Sequence, residues 1–276
     1  MSKRMKAGLA LGKEVWKNIP APSNDREYNI ALSSAFSFCA GIGREALPWA
    51  SDILQWSASC PFQANVMAYT PMLSLYERCG YYTKVDELLT QMVSENQMPN
   101  EVTLGDLINA AASSFDFKRA DQLWDKLVKQ HRIIPNVICY VGKAKVHILA
   151  GRPLSAIQIL DRMRVEGVGA NDTNAAVVYL QALLLTCHSD PSKPRLKQLS
   201  TYLAEAERTV AGRMTTAGKQ MQGQWFTMTK LGRNLVKSPR SVMFADLLVY
   251  GNAKHGMMKT WPNYQAGSQY LSKMDQ

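Results

Sequence analysis

Two near-copies of one short stretch set the frame for this chain: Met98-Pro-Asn-Glu-Val-Thr103 and, 36 residues on, Ile134-Pro-Asn-Val-Ile-Cys139. Asparagines fall at Asn65, Asn100, Asn136 and Asn171, at intervals of 35, 36 and 35. A recurring residue alone could be chance, so the test is whether hydrophobic periodicity keeps phase with it. It does. The i, i+3, i+4, i+7 stripe of an amphipathic helix appears as Val85, Leu88, Leu89, Met92, as Ala120, Leu123, Trp124, Leu127, and as Ala156, Ile159, Leu160, Met163. These stripes begin 15, 16 and 15 residues before the next asparagine, and Ala50, Ile53, Leu54, Ser57 begin 15 before Asn65.

Each unit also holds an earlier helix, marked by Tyr28, Tyr69, Leu104 or Tyr140. The two helices are 16 residues apart in three units and 22 in the first, where the extra residues fall in "GIGREALPW". An insertion between helices costs little. Gly80 and Gly151 suit helix ends, Pro153 a first helical position, and Thr83 or Asp116 an N-cap. The unit is thus a helical hairpin of about 35 residues, and stacked hairpins bury their stripes against one another in an all-α, right-handed solenoid.

The units run 25–65, 66–100, 101–136 and 137–171, with a degenerate helix pair over 172–209 closing a solenoid of 24–209. Outside it lie a basic segment 1–23 and a basic, aromatic-containing segment 210–276, where no period is sustained. Of the net charge of +10, residues 1–23 carry +4 and 210–276 carry +7, leaving the middle at −1. Cationic ends of this kind read as arms for a polyanion. In 210–276, Trp225, Phe226, Tyr250, Trp261, Tyr264 and Tyr270 lie among the cations, and Arg233, Lys237 and Arg240 are candidate phosphate contacts. The alternative is a tail that docks on its own solenoid or on a protein neighbour.

Other function classes find little support. No apolar run approaches the roughly 18 residues of a spanning helix, so a soluble or at most peripheral protein is expected. Five widely spaced cysteines suit buried positions in a reducing compartment rather than zinc or disulfides. "GLALGKE", Gly8 to Glu14, has three residues rather than four between its glycines and Glu14 where a phosphate-binding loop needs Ser or Thr. The four histidines are far apart, with no nucleophile elbow or His-Glu-x-x-His pair. No catalytic residue, metal or cofactor is expected.

The stretch Val66 to Asn100, "VMAYTPMLSLYERCGYYTKVDELLTQMVSENQMPN", resembles the pentatricopeptide repeat over its whole length. The likeness rests on the Val-x-x-Tyr start, the Gly ending the first helix, the Leu-Leu-x-x-Met second helix and the Pro-Asn close. It extends over about residues 26–171. The resemblance implies single-stranded RNA as partner, one base per repeat, and work in mitochondria or plastids. It implies that the second residue of a unit packs on the base, here Met67, Val102 and Ile138. The fifth and last residues read the base edge: Thr70 with Asn100, resembling an adenine-reading pair, and Asn29 with Asn65, resembling a pyrimidine-reading pair. Gly105 with Asn136 and Val141 with Asn171 leave the fifth position without a polar group. Two read bases of four are too few to select one transcript. The expectation is therefore an RNA-bound building block of an organellar ribosome, touching rRNA and neighbouring proteins, with no membrane or small-molecule substrate. A freestanding organellar RNA stability, processing or editing factor and a protein-binding scaffold are the alternatives.

Overall fold

A computed structural model describes residues 3–113, 116–169, 171–214, 217–239 and 242, and every regular element among them is helical. By contacts the chain divides into two compact units, Met1–Ser114 with Lys118–Pro135, and Phe115–Phe117 with Asn136–Gln276. Each is a stack of helical hairpins, the all-α solenoid class expected. No helix among the described residues is long and apolar enough to cross a membrane.

The first unit holds three hairpins: α2 (Asp25–Ile42) with α3 (Leu47–Ser59), α4 (Val66–Cys79) with α5 (Tyr82–Ser94), and α6 (Glu101–Ser113) with α7 (Phe117–Trp124), which runs on into a π turn, Asp125–Gln130. First helices begin where a side chain satisfies otherwise unpaired amides. Asn24 Oδ1 accepts from the Glu27 amide at 2.9 Å, Asn65 Oδ1 from Met67 at 2.9 Å, and Asn100 Oδ1 from Val102 and Thr103, both at 3.1 Å. The asparagine of each Pro-Asn is therefore a helix cap. α4 ends at Gly80, whose φ of 79° is a left-handed conformation that glycine takes without strain.

Two of the four predicted stripes are wholly core, and in the first Ala50 and Ile53 are buried while Leu54 and Ser57 are half-buried. Val85, Leu88, Leu89 and Met92 are buried, as are Ala120, Leu123, Trp124 and Leu127. The insertion in the first hairpin has a use beyond being tolerated. Its 3₁₀ turn, Arg44–Ala46, places the Arg44 guanidinium on the Cys79 carbonyl at 2.9 Å, in the last turn of α4, where carbonyls lack intrahelical donors. Thr83, by contrast, lies inside α5 and caps nothing; Tyr81 precedes that helix without a side-chain cap.

Segment 1–23 is largely helix α1 (Lys3–Lys17), packed on α2. Gly12 permits the contact, since a Cβ there would sit 2.7 Å from the Phe38 ring. Trp16 meets Trp56 edge-on at 4.9 Å. "GLALGKE" lies within this helix and forms no loop.

The second unit carries α8 (Val137–Leu149) with α9 (Pro153–Val165), then α10 (Thr173–Ser189) with α11 (Lys193–Thr209). Asn136 caps α8 through the Cys139 amide at 3.1 Å. The next cap is Asp172, accepting from Ala175 at 2.7 Å, so Asn171 stands one residue ahead of the cap. In α9, Ile157 is buried while Ile159 is only half-buried. A short turn α12 (Ala211–Met214) leads to α13 (Lys219–Lys237), a regular 19-residue helix where no sustained period was expected. It packs on α10 and α11 through Trp225, Met228 and Leu235, and Gly232 lets it close on Leu203 and Leu184.

Buried tyrosines tie first helices to second ones. Tyr28 bonds the Ser57 hydroxyl at 2.6 Å, Tyr69 donates to Glu95 at 2.8 Å, and Tyr140 donates to Glu166. Burial first, and the adjacent carboxylate second, hold Tyr69 and Tyr140 protonated well above the ordinary tyrosine range. Burial likewise pushes Tyr179 and Tyr202 up to about 12. A folded-state pKa above the unfolded one gives stability that is complete below the unfolded value, about 10, and is lost as pH rises through the folded values. Thermal melts should therefore be insensitive to these groups at pH 7 to 9 and fall steeply above about pH 10. The tyrosinate absorbance that these four contribute, read as the difference from their Tyr→Phe variants, should appear together with loss of helical circular dichroism, and its appearance in a still-folded chain would contradict the assignment.

Candidate nucleic-acid interface

Only one pair of neighbouring first helices among the described residues joins both predicted reading positions by hydrogen bonds between side chains alone. It lies in the first unit, where α4 packs beside α6. Met67 and Val102, second residues of the two hairpins, are 61% and 55% exposed, although the apolar residues that follow them are buried. Each sits one residue past the start of its helix, on the turn whose amides the cap asparagine holds. An exposed large apolar side chain at one matching position of two adjacent hairpins is a repeated, directed feature rather than scattered surface.

The two helices that carry them are joined by a polar chain. The hydroxyls of Thr70 and Thr103 are 2.9 Å apart, and Thr103 Oγ1 reaches Asn100 Oδ1 at 3.3 Å. Thr70 is 5% exposed and Thr103 fully buried. Asn100 Oδ1 also accepts the two α6 amides, which fixes the oxygen inward and leaves the Nδ2 amide as the group available to a ligand. Thr103, which sequence reasoning did not single out, is the link between the fifth and last residues of the repeat. Further along the same helices, exposed Arg78 bonds Ser74 at 3.4 Å. Burial raises the Asp106 carboxyl, an effect that the Arg78 charge opposes.

The other predicted pairs are built differently. Asn29 is 4% exposed, with Nδ2 donating to the carbonyls of Asp25 (2.8 Å) and Gln63 (3.1 Å) and Oδ1 accepting from the Asn65 amide (2.8 Å). Its amide group is committed to holding the linker against α2, and Asn65 caps α4. In the second unit, Ile138 is 65% exposed at the same register as Met67 and Val102, but Val141 is buried and apolar. Asn136 caps its helix and Asn171 is exposed. Gly105 offers no side chain.

Among the distal cations, Arg233 is exposed on α13 and bonded to Glu207 of α11, and Lys237 is the exposed last residue of α13. Arg240 lies outside the described residues, as do Tyr250, Trp261, Tyr264 and Tyr270. Trp225, expected among the stacking aromatics, is 2% exposed and packs in the core, whereas Phe226 is 63% exposed. Among the described residues no cluster of three or more His, Cys, Asp or Glu side chains is placed to hold a metal ion.

Comparison with known proteins bears on the hairpin fold. The family model of the PPR repeat matches residues 67–96. A mitochondrial pentatricopeptide repeat-containing protein of Arabidopsis thaliana is 23% identical over 153 residues, 55% of this chain and 30% of that protein. The crystal structure of the pentatricopeptide repeat protein PPR10 in complex with an 18-nt psaJ RNA element aligns with a TM-score of 0.54 and 17% identity, covering 98% of this chain and 38% of that one. PPR10 from maize without RNA aligns at a TM-score of 0.47 and 16% identity, covering 98% and 47%. The chain thus spans about a third of the length of the curated relative. Residues 67–96 thus match the model of the PPR repeat, and the hairpin stack in which they lie has the fold of a pentatricopeptide repeat protein.

Proposed function

We propose that this protein binds single-stranded RNA, holding one base between Met67 and Val102 and reading its edge with Thr70 and Asn100. The observation that carries this reading is the exposure of those two apolar side chains at one register of two neighbouring helices that a hydrogen-bonded Thr70–Thr103–Asn100 chain joins. An apolar slot suits the faces of any base, and the polar chain at its floor supplies edge contacts. PPR10, which shares the fold, has been crystallised with RNA. The net charge of +10 favours a polyanion.

The same geometry supports a component of a larger particle over a freestanding reader. One slot combines apolar walls with a polar floor, Asn29 is spent on the linker, and Val141 is buried and apolar. Selectivity from so few bases is poor, so position in an assembly would have to supply it. We therefore place the chain in an organellar ribosome, contacting rRNA and neighbouring proteins, with the mitochondrion favoured by the relative's name and the plastid as the alternative.

Two measurements test this. Sedimentation of the tagged native protein from organelle lysate should place it with a ribosomal subunit, and recovery only in light fractions would remove that assignment. Replacing Met67 and Val102 together by alanine should lower affinity for single-stranded RNA at least ~10-fold, from stacking of about 1–3 kcal/mol per base. The melting temperature should hardly move, because both side chains are exposed. Unchanged RNA affinity would sink the base slot.

A further inference from the structure

The helix α13 has two faces of different character. Trp225, Met228, Thr229 and Leu235 are buried against the last hairpin. On the opposite side, at about 100° per residue, Lys219, Phe226, Lys230, Arg233 and Lys237 fall within an arc of about 60°. All five are exposed, Phe226 by 63%. The stripe runs the length of the helix, about 27 Å at 1.5 Å per residue.

Its charge is unbalanced as well. α13 contains no acidic residue, and among the described residues no carboxylate pairs with Lys219, Lys230 or Lys237. Only Arg233 has an acidic neighbour, Glu207, in an ion pair that is half-exposed on both sides and therefore weak. A docked helix thus holds three cations without ion partners among the described residues, and one aromatic ring, in a line facing solvent. That is a stacking platform flanked by phosphate contacts, and both parts are indifferent to base identity.

We propose that α13 is a second, sequence-independent surface for single-stranded RNA. Phe226 stacks on a base, and Lys219, Lys230 and Lys237 engage the phosphates on either side. The proposal shares its ligand class with the function above but stands on a different surface, so the two can fail separately. It also accounts for how a chain with one complete proposed base slot among its described residues would gain affinity: the slot would supply register and the α13 stripe salt-dependent attraction.

The test uses the full chain and a fluorescein-labelled oligo-uridine, with anisotropy read over a salt series. Lys230→Ala with Lys237→Ala should reduce the slope of log affinity against log salt by about 1.4, at roughly 0.7 per cation on a single strand. Phe226→Ala should weaken binding about 10-fold or more with the slope unchanged. Lys230→Arg with Lys237→Arg should retain wild-type behaviour, and melting temperatures should match throughout. An unchanged slope and affinity in the alanine variants overturns the proposal. So does intact oligo-uridine binding with loss of sedimentation alongside a ribosomal subunit, which would make the stripe a protein contact. If Met67→Ala with Val102→Ala leaves RNA affinity intact while the α13 variants lose it, the base slot fails and the stripe stands.

Discussion

Replacing Arg119 by alanine is expected to destabilise the protein by about 3–5 kcal/mol, the cost of taking the countercharge from a buried ion. Glu77 on α4 is fully buried, and Arg119 on α7 is 8% exposed. Arg119 Nε donates to both Glu77 carboxylate oxygens at 3.1 Å, and its Nη2 donates to Oε2 at 3.0 Å. The guanidinium lies 4.6 Å from the Tyr82 ring centroid and 3.9 Å from Asp86. The interaction joins the first helix of one hairpin to the second helix of the next, so it fixes how neighbouring repeats stack. Against a whole-domain stability of about 5–15 kcal/mol, the loss is severe. At about 2–4 °C per kcal/mol for a chain of this size, the melting temperature should fall by roughly 6–20 °C.

The charge itself is not what stabilises, and a second variant separates the two effects. Removing two ions from water costs nearly what their attraction returns, so an apolar pair of similar volume is often no worse. Glu77→Leu with Arg119→Met should therefore melt close to the wild type, far above Arg119→Ala. Arg119→Lys should fall between them, because an ammonium gives up the bidentate fork and the stacking on Tyr82. If Arg119→Ala melts within a degree or two of the wild type, the pair does not hold the repeats together.

This ion pair marks where the sequence stops being informative. Glu77 and Arg119 are 42 residues apart, and neither belongs to a period. The stripe from Val85 to Met92 was legible because helical burial imposes a local spacing that recurs with each unit. The caps were legible for a similar reason: an Asn before an apolar run is a chemical requirement of a helix start. The last boundary slipped by one because Asp172, beside Asn171, is an equally good cap. The helix α13 was hidden by its glycines and threonines, which lower helix propensity. Gly232 is there for the close approach to Leu203 and Leu184, and burial of Trp225 and Leu235 overrides propensity. In the candidate site, Met67, Val102, Thr70 and Asn100 follow from the resemblance to the pentatricopeptide repeat. Thr103 and the commitment of Asn29 do not, because Thr103 depends on how α4 packs against α6 and Asn29 on which backbone atoms its side chain meets in the linker.

Asn100 carries the sharpest functional prediction, since its two amide atoms have separate duties. The oxygen accepts from the Val102 and Thr103 amides and the Thr103 hydroxyl, and backbone N–H groups leave no choice of orientation. The Nδ2 amide is then the donor left for a base in the slot we propose. Asn100→Ala removes both, costing about 1 kcal/mol of cap stability along with any reading, and so cannot distinguish them. Asn100→Asp keeps the capping oxygen and places an anion at a helix N-terminus, where it stabilises by a few tenths of a kcal/mol. Its melting temperature should equal or slightly exceed that of the wild type. It exchanges a donor for an acceptor, so binding to a base presenting an acceptor should fall by about 1–3 kcal/mol, roughly 10- to 100-fold. A base presenting a donor, such as guanine with its N2 amino group, should be favoured instead. The measurement is anisotropy against oligonucleotides that differ at one position, adenine against guanine. If Asn100→Asp keeps the adenine preference with unchanged affinity, Asn100 serves the fold alone, and the slot between Met67 and Val102 holds a base without reading it.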